Sequence, residues 1–185
     1  TRDLPLYGRH QFLQEMELFK TEYLPALKLS NHMLGQINFA IRNLATKLCS
    51  LPTAVTHKDY HSTNLLVHQQ QVHVVDQQDM CVGPWTYDLA SLLFDCYIDW
   101  PEQVNQLLLE DFYGLHPKAN QDLAYSVYLA ALQRHLKCIG LFMRLGRNGK
   151  VRYLSYLPRL KKRVLMFCDM LPQYAVLKIP IEMGL

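Results

Sequence analysis

The chain has 185 residues, half of them hydrophobic, and a net charge of +3, so it can bury a sizeable core as one domain or a large part of one. Its Lys and Arg are scattered apart from the run RLKKR at 159–163, which reads as a solvated helix face, so no basic stripe points to nucleic acid. No apolar run can span a bilayer and no signal peptide is visible, while Cys49, Cys81, Cys96, Cys138 and Cys168 lack any CxxC pair and suit reduced thiols in a cytoplasmic protein.

In chain order, Phe12, Met16, Phe19 and Tyr23 recur at helical spacing and predict an amphipathic helix over 11–24. Leu34, Ile37, Ile41, Leu44 and Leu48 line one face of a second helix that stops before Pro52. The period then changes. TAVTH at 53–57 reads as a short strand, and NLLVHQQQVHVVD at 64–76 as a hairpin around a polar turn. VGPW at 82–85 reads as chain punctuation. Helices are expected at about 86–97, starting near Asp88, and at about 101–113 with Pro101 in the first helical position. A long helix over about 119–146 ends at GRNGK, and a last helix carries Leu160, Val164, Phe167 and Leu171. The layout is α+β and mostly helical, with one small β element holding the residues suited to chemistry.

Those residues cluster in HKDYHSTN, 57–64, with Asp76 twelve positions beyond Asn64. Polar loops of this composition are often only turns, because Asp, Asn and His bond to nearby backbone. A zinc or iron site is a second reading: His57, Asp59 and His61 alternate and would share one side of an extended strand, with His68 or His73 as a further ligand. The downstream anchors Asp76, Asp79 and Asp88 are hard oxygen donors, however, and suit magnesium better. Phosphoryl transfer is the third reading. It requires a carboxylate to orient the attacking hydroxyl and oxygen ligands to hold Mg²⁺ on the nucleotide phosphates. In kinases an Asp precedes a metal-binding Asn by five residues and a hairpin then delivers a second metal-binding Asp. Asp59, Asn64 and Asp76 keep that spacing, with the hairpin between.

HKDYHSTNLLV, VVDQQDMCVGPWTYDLASLL, LQRHLKCIGLFMRL and the opening LPLYGRHQFLQEMELFKTEYL together resemble the aminoglycoside phosphotransferase superfamily, most closely its N-acetylmuramate/N-acetylglucosamine anomeric kinase branch, over residues 3–168. The resemblance implies the C-terminal lobe of a protein-kinase-like fold, with a catalytic loop and hairpin at 53–88 and a helical acceptor-binding part at 89–175 within a single 1–185 domain. It implies ATP-dependent phosphorylation of a small-molecule hydroxyl, with Asp59 as catalytic base and Asn64 and Asp76 as Mg²⁺ ligands. His57 would shape the loop, and Asp88 would brace it from the start of its helix, where a carboxylate also suits the dipole. Asp79 is a candidate contact to a second metal or the sugar, and His61 to a phosphate. Lys58 is either an offset to phosphate charge or a solvated lysine, and Arg134, His135 and Lys137 are surface or interhelical groups that could also reach an acceptor.

Gln77 follows the candidate metal Asp where relatives often have Phe, which argues against a switch built on that aromatic. No strand series or Gly-rich loop precedes residue 11, and the chain starts at Thr1. The N-terminal nucleotide lobe is therefore expected to be absent from these residues, and 1–185 alone to turn over little or no ATP. Rival readings are an aminoglycoside, choline or homoserine kinase and a non-catalytic binding module descended from a kinase. Residues 101–185 hold more Lys and Arg than Asp and Glu, which favours a neutral or anionic sugar over a cationic aminoglycoside.

Overall fold

A computed structural model of the chain describes residues 4–115 and 123–184. Helix α1 (Arg9–Leu18) runs on without a break into a wider π-helical turn, Phe19–Tyr23, and a 3₁₀ turn, Leu24–Leu27. Helix α2 (Asn31–Cys49) starts where the Ser30 hydroxyl accepts the Met33 N–H at 3.2 Å, satisfying one orphan donor of the first turn. Its Ile37, Ile41, Leu44 and Leu48 are buried, the stripe that the 3.6-residue period produces.

Strand β1 (Thr53–Thr56) follows, then the polar loop and the hairpin of β2 (Leu65–His68) and β3 (Gln71–Val74). The hairpin pairs Leu65 with Val74, and its two-residue turn puts Gln69 and Gln70 at φ 48° and 63°, the left-handed pair that matches strand twist. VGP is not punctuation. It belongs to strand β4 (Cys81–Pro84), antiparallel to β1 from Thr53↔Pro84 to Thr56↔Cys81. The chain start adds to it: the Tyr7 N–H donates to the Val82 carbonyl at 2.8 Å and the Val82 N–H to the Pro5 carbonyl at 2.9 Å. Pro84 sits at the end of its strand, where a missing donor is tolerated.

Helix α3 (Tyr87–Leu93) is shorter than its apolar pattern suggests, because the chain turns through Phe94–Trp100. Helix α4 (Glu102–Leu115) begins where the Pro101 carbonyl accepts the Val104 and Asn105 N–H groups. Helix α5 is described from Leu123 to Arg147, and the predicted start at 119–122 lies outside the described residues. It is buried on almost every side between α1, α3 and helix α6 (Leu157–Met170), as expected of a helix at the centre of a fold. Gly149 at φ 86° ends the turn that leaves α5. The chain closes with a 3₁₀ stretch, Pro172–Leu177, and helix α7 (Lys178–Met183), neither of them foreseen.

The RLKKR run is a structural joint rather than a solvated face. Arg159 and Arg163 pair with Asp99, and Arg163 also donates to the Asp95 and Ile98 carbonyls. The five cysteines are unpaired, Cys49 exposed and the other four buried. No helix among the described residues is long and apolar enough to cross a membrane.

Candidate active site

The loop that leaves β1 is fastened along its length. At its start, the Asp88 carboxylate accepts the His57 N–H at 2.6 Å and the Lys58 N–H at 3.0 Å from the first turn of α3. Burial raises the Asp88 pKa, with the two N–H bonds opposing it. His57 is buried, and its Nε2 lies 3.0 Å from the Val75 carbonyl, which ties the loop to the end of the hairpin. Lys58 adopts the left-handed conformation at φ 74°, which costs a non-glycine residue about 1–2 kcal/mol. Further along, the fully buried Asp95 accepts the Ser62 N–H at 2.6 Å and the Tyr97 N–H at 2.7 Å.

Asn64 links the three predicted site residues. Its side-chain amide donates to the Asp59 carbonyl at 3.0 Å, while its own carbonyl accepts the Val75 N–H at 3.0 Å. Its Oδ1 has no protein partner among the described residues. Asp76 follows Val75 in the left-handed conformation at φ 69°, exposed, with one carboxylate oxygen taken by the Gln78 amide. Asp79 is also exposed. It lines a cleft of about 510 Å³ with Lys58, Gln77, Gln78, Tyr7 and Gln11. His61 turns inward: it is buried, its Nδ1 meets the Thr63 hydroxyl at 2.9 Å, and its ring stands edge-on to Tyr97 at 5.1 Å. Burial, reinforced by Arg134 and opposed by Asp59 and Asp95, pushes the His61 imidazole down to about 4.

Asp59 remains open, its side chain 37% exposed. Burial opposes its ionisation, but Lys137 and Arg134 outweigh burial and hold its pKa below the usual carboxylate value. Arg134 and Lys137 are not surface groups. Arg134 is 2% exposed, and its Nη1 donates to the Lys58 carbonyl at 2.7 Å and to Asp59 Oδ1 at 3.1 Å. Lys137 lies 3.3 Å from Glu15, which also meets Lys58 at 3.5 Å and accepts from the Tyr7 hydroxyl and the Gln133 amide. His135 turns away and bonds the Ala131 carbonyl through Nδ1 at 2.8 Å. Sequence reasoning missed Glu15, Asp95 and Gln133, and it left Arg134 and Lys137 without a place in the loop. Only contacts between distant segments reveal them, and spacing carries no such signal.

The donors suit a hard cation. An amide oxygen on Asn64 and a carboxylate on Asp76 are the oxygen types that Mg²⁺ accepts beside phosphates, and both present an oxygen that no protein donor occupies. The zinc reading finds no support: His57 is committed to Val75 and His61 to Thr63, and no three His, Cys, Asp or Glu side chains gather as a metal site among the described residues.

A family model described as the phosphotransferase enzyme family matches residues 2–120. The chain belongs to that family. It is 32% identical over 167 residues to the N-acetylmuramate/N-acetylglucosamine kinase of Pseudomonas aeruginosa, covering 84% of this chain and 49% of that protein. It is 32% identical over 193 residues to the protein of the same name from Neisseria meningitidis, covering 94% and 57%. The chain thus spans about half the length of the curated relatives it matches. Among solved structures, the amicoumacin kinase hAmiN in complex with AMP-PNP, Ca²⁺ and Ami superposes with a TM-score of 0.56 at 16% identity, over 90% of this chain and 51% of that one. That likeness is one of fold, and it agrees with the C-terminal lobe of a kinase-like fold: mostly helical, with small antiparallel sheets.

Proposed function

We propose that this chain supplies the catalytic half of an ATP-dependent phosphotransferase acting on the hydroxyl of an amino sugar of the N-acetylmuramate/N-acetylglucosamine class, at the anomeric position. The observation that carries the reading is the pair of hydrogen bonds made by Asn64, its side-chain amide donating to the Asp59 carbonyl and its own carbonyl accepting the Val75 N–H beside Asp76. One proposed ligand thereby ties the backbone of the proposed base to the backbone next to the other proposed ligand. The activity for which the relatives are named supplies the substrate class. The nucleotide-covering half that such chemistry requires has no counterpart among the described residues, so the reading needs chain beyond them.

In this reading Asp59 accepts a hydrogen bond from the sugar hydroxyl, aims its oxygen at the γ-phosphorus and takes its proton as transfer proceeds. In a largely dissociative transfer such a carboxylate acts chiefly by orientation, with proton removal late in the step. Asn64 Oδ1 and Asp76 would hold Mg²⁺, which when bound neutralises charge on the phosphates. His57 and Asp88 fix the backbone on which Asp59 stands. Asp79, which lines the cleft beside Lys58, would meet the acceptor or a second cation. His61, buried and neutral, supports the loop rather than a phosphate. The protein would work on soluble nucleotide and sugar in the cytoplasm, without nucleic acid or membrane.

The test uses the full-length gene product with ATP, Mg²⁺ and a panel of amino sugars, aminoglycosides, choline and homoserine. Phosphorylation of N-acetylmuramate or N-acetylglucosamine is expected. Asp59→Asn should lower kcat by at least about 100-fold with nucleotide affinity kept, and Asp76→Ala should abolish Mg²⁺-dependent nucleotide binding. Nucleotide binding without turnover of any acceptor would instead mark a binding module, and turnover confined to aminoglycosides or choline would overturn the substrate class.

A further inference from the structure

Arg134 combines features that neither the family likeness nor the loop motif explains. It lies in the middle of α5, 75 residues from Asp59 and 2% exposed, yet one of its nitrogens bonds both the Lys58 carbonyl at 2.7 Å and Asp59 Oδ1 at 3.1 Å. Burying a guanidinium is costly unless it is paired. The partners it has found are the backbone and the side chain of two adjacent loop residues. Its Nε, also buried, has no partner. A cation placed only to stabilise the core would be expected to saturate its donors. This one leaves a donor idle and spends another on the loop.

The contact also divides the carboxylate. With Oδ1 held by Arg134, Asp59 Oδ2 has no protein partner among the described residues and is the oxygen left to face an acceptor. The Lys58 carbonyl bond works on the same atom set from the other side. Lys58 is left-handed at φ 74°, and its N–H is drawn to Asp88 while its carbonyl is drawn to Arg134. The peptide that carries Asp59 is thus fixed at both ends of the kink. Among the described residues Asp59 is the carboxylate to which the guanidinium is hydrogen-bonded.

We infer that Arg134 is a positioning residue for phosphoryl transfer, locking the Asp59 side chain so that a single carboxylate oxygen meets the acceptor hydroxyl. It acts through Asp59 and touches neither nucleotide nor metal. This rests on the phosphotransferase reading above. A one-ångström error in such alignment costs on the order of 100-fold in rate. Both bonds come from the single Nη1, so a lysine ammonium carries enough donors to replace them, but on a flexible stem that does not fix the angle as the planar guanidinium does.

The experiment is a double-mutant cycle on the full-length protein with ATP, Mg²⁺ and the best acceptor found. Arg134→Met should lower kcat by about 100-fold with the KM for nucleotide unchanged within about threefold, and Arg134→Lys should recover part of that loss. In the Asp59→Asn background the same Arg134→Met change should alter the residual rate by less than about threefold, because its route to the chemistry is already gone. Circular dichroism and nucleotide affinity check that each variant is folded, and if Arg134→Met is not, the cycle is run with Arg134→Lys. A wild-type kcat in a folded Arg134 variant would overturn the inference, and so would an equal loss in both backgrounds, which marks a purely structural cation. If the wild type phosphorylates nothing, or Asp59→Asn stays fully active, the phosphotransferase reading itself fails and the inference falls with it.

Discussion

Two buried imidazoles make the stability of this fold sensitive to pH. Burial, followed by Arg163, pushes His135 down to about 3 against the help of its bond to the Ala131 carbonyl, and burial with Arg134 pushes His61 down to about 4. An unfolded histidine titrates near 6.5. From about pH 6.5 toward 4 the unfolded chain therefore binds more protons than the folded one, and stability falls as pH falls, by about 1.4 kcal/mol per pH unit for each imidazole. Asp59, its pKa depressed, adds a loss only below the ordinary carboxylate range, while the raised Asp88 works in the opposite direction. Denaturant unfolding of the full-length protein at pH 7, 6 and 5 should show this slope, reduced by one proton in His135→Leu. Equal slopes in the two proteins would mean that His135 is not held neutral. At this scale the sequence offers the chemistry of each group but not its surroundings. His135 reads as a surface or interhelical residue, and only the packing of α5 shows it fully enclosed.

At Gly140 helix α5 packs directly against the backbone at the end of α1. A Cβ there would lie 2.2 Å from the Leu18 carbonyl carbon and 2.4 Å from the Phe19 nitrogen. Both are backbone atoms, at the place where α1 widens into its π-turn, so neither can swing aside. Gly140→Ala should separate α1 from α5 and cost about 1–3 kcal/mol, read as a lowered Tm of the full-length protein. Gly35→Ala in α2, with nothing within 4 Å of its Cβ, should raise Tm slightly through helix propensity. Two shifts of the same sign and size would show that Gly140 is not a packing contact. Helices α2, α4 and α6 were legible because apolar period, caps and prolines are local signals. Strand β4 was not, because Gly83 and Pro84 carry turn propensity and only pairing with Ala54 and Thr53, next to the bonds of Val82 with Pro5 and Tyr7, makes them extended. Helix α7 was missed for a similar reason: Pro180 lies within it and breaks the pattern, yet it packs buried against the core.

For the whole molecule, the site is a short motif held by distant parts of the chain. Asp59, Asn64 and Asp76 announce themselves by spacing because one loop and one hairpin fix their separation. The groups that fasten and surround that loop come from α1, α3, the turn after α3 and α5: Glu15, Asp88, Asp95, Arg134 and Lys137. Of these only Asp88 is read from the sequence as a brace of the loop; Arg134 and Lys137 stand out there without a place in it, and Glu15 and Asp95 do not stand out at all. The backbone kinks at Lys58 and Asp76 fit the same picture, since left-handed non-glycine residues persist where surrounding contacts over-determine them. Convergence of Asn64 and Asp76 on one divalent cation, with Asp59 beside it facing the acceptor, is the premise of everything proposed for them. It is tested most directly by crystallising the full-length protein with Mn²⁺ and a non-hydrolysable ATP analogue and locating the manganese by anomalous scattering. A peak about 2.1 Å from both Asn64 Oδ1 and an Asp76 carboxylate oxygen, with Asp59 facing the γ-phosphate, is the expected result. Manganese bound away from either residue, or Asp59 turned from the phosphates, would contradict it.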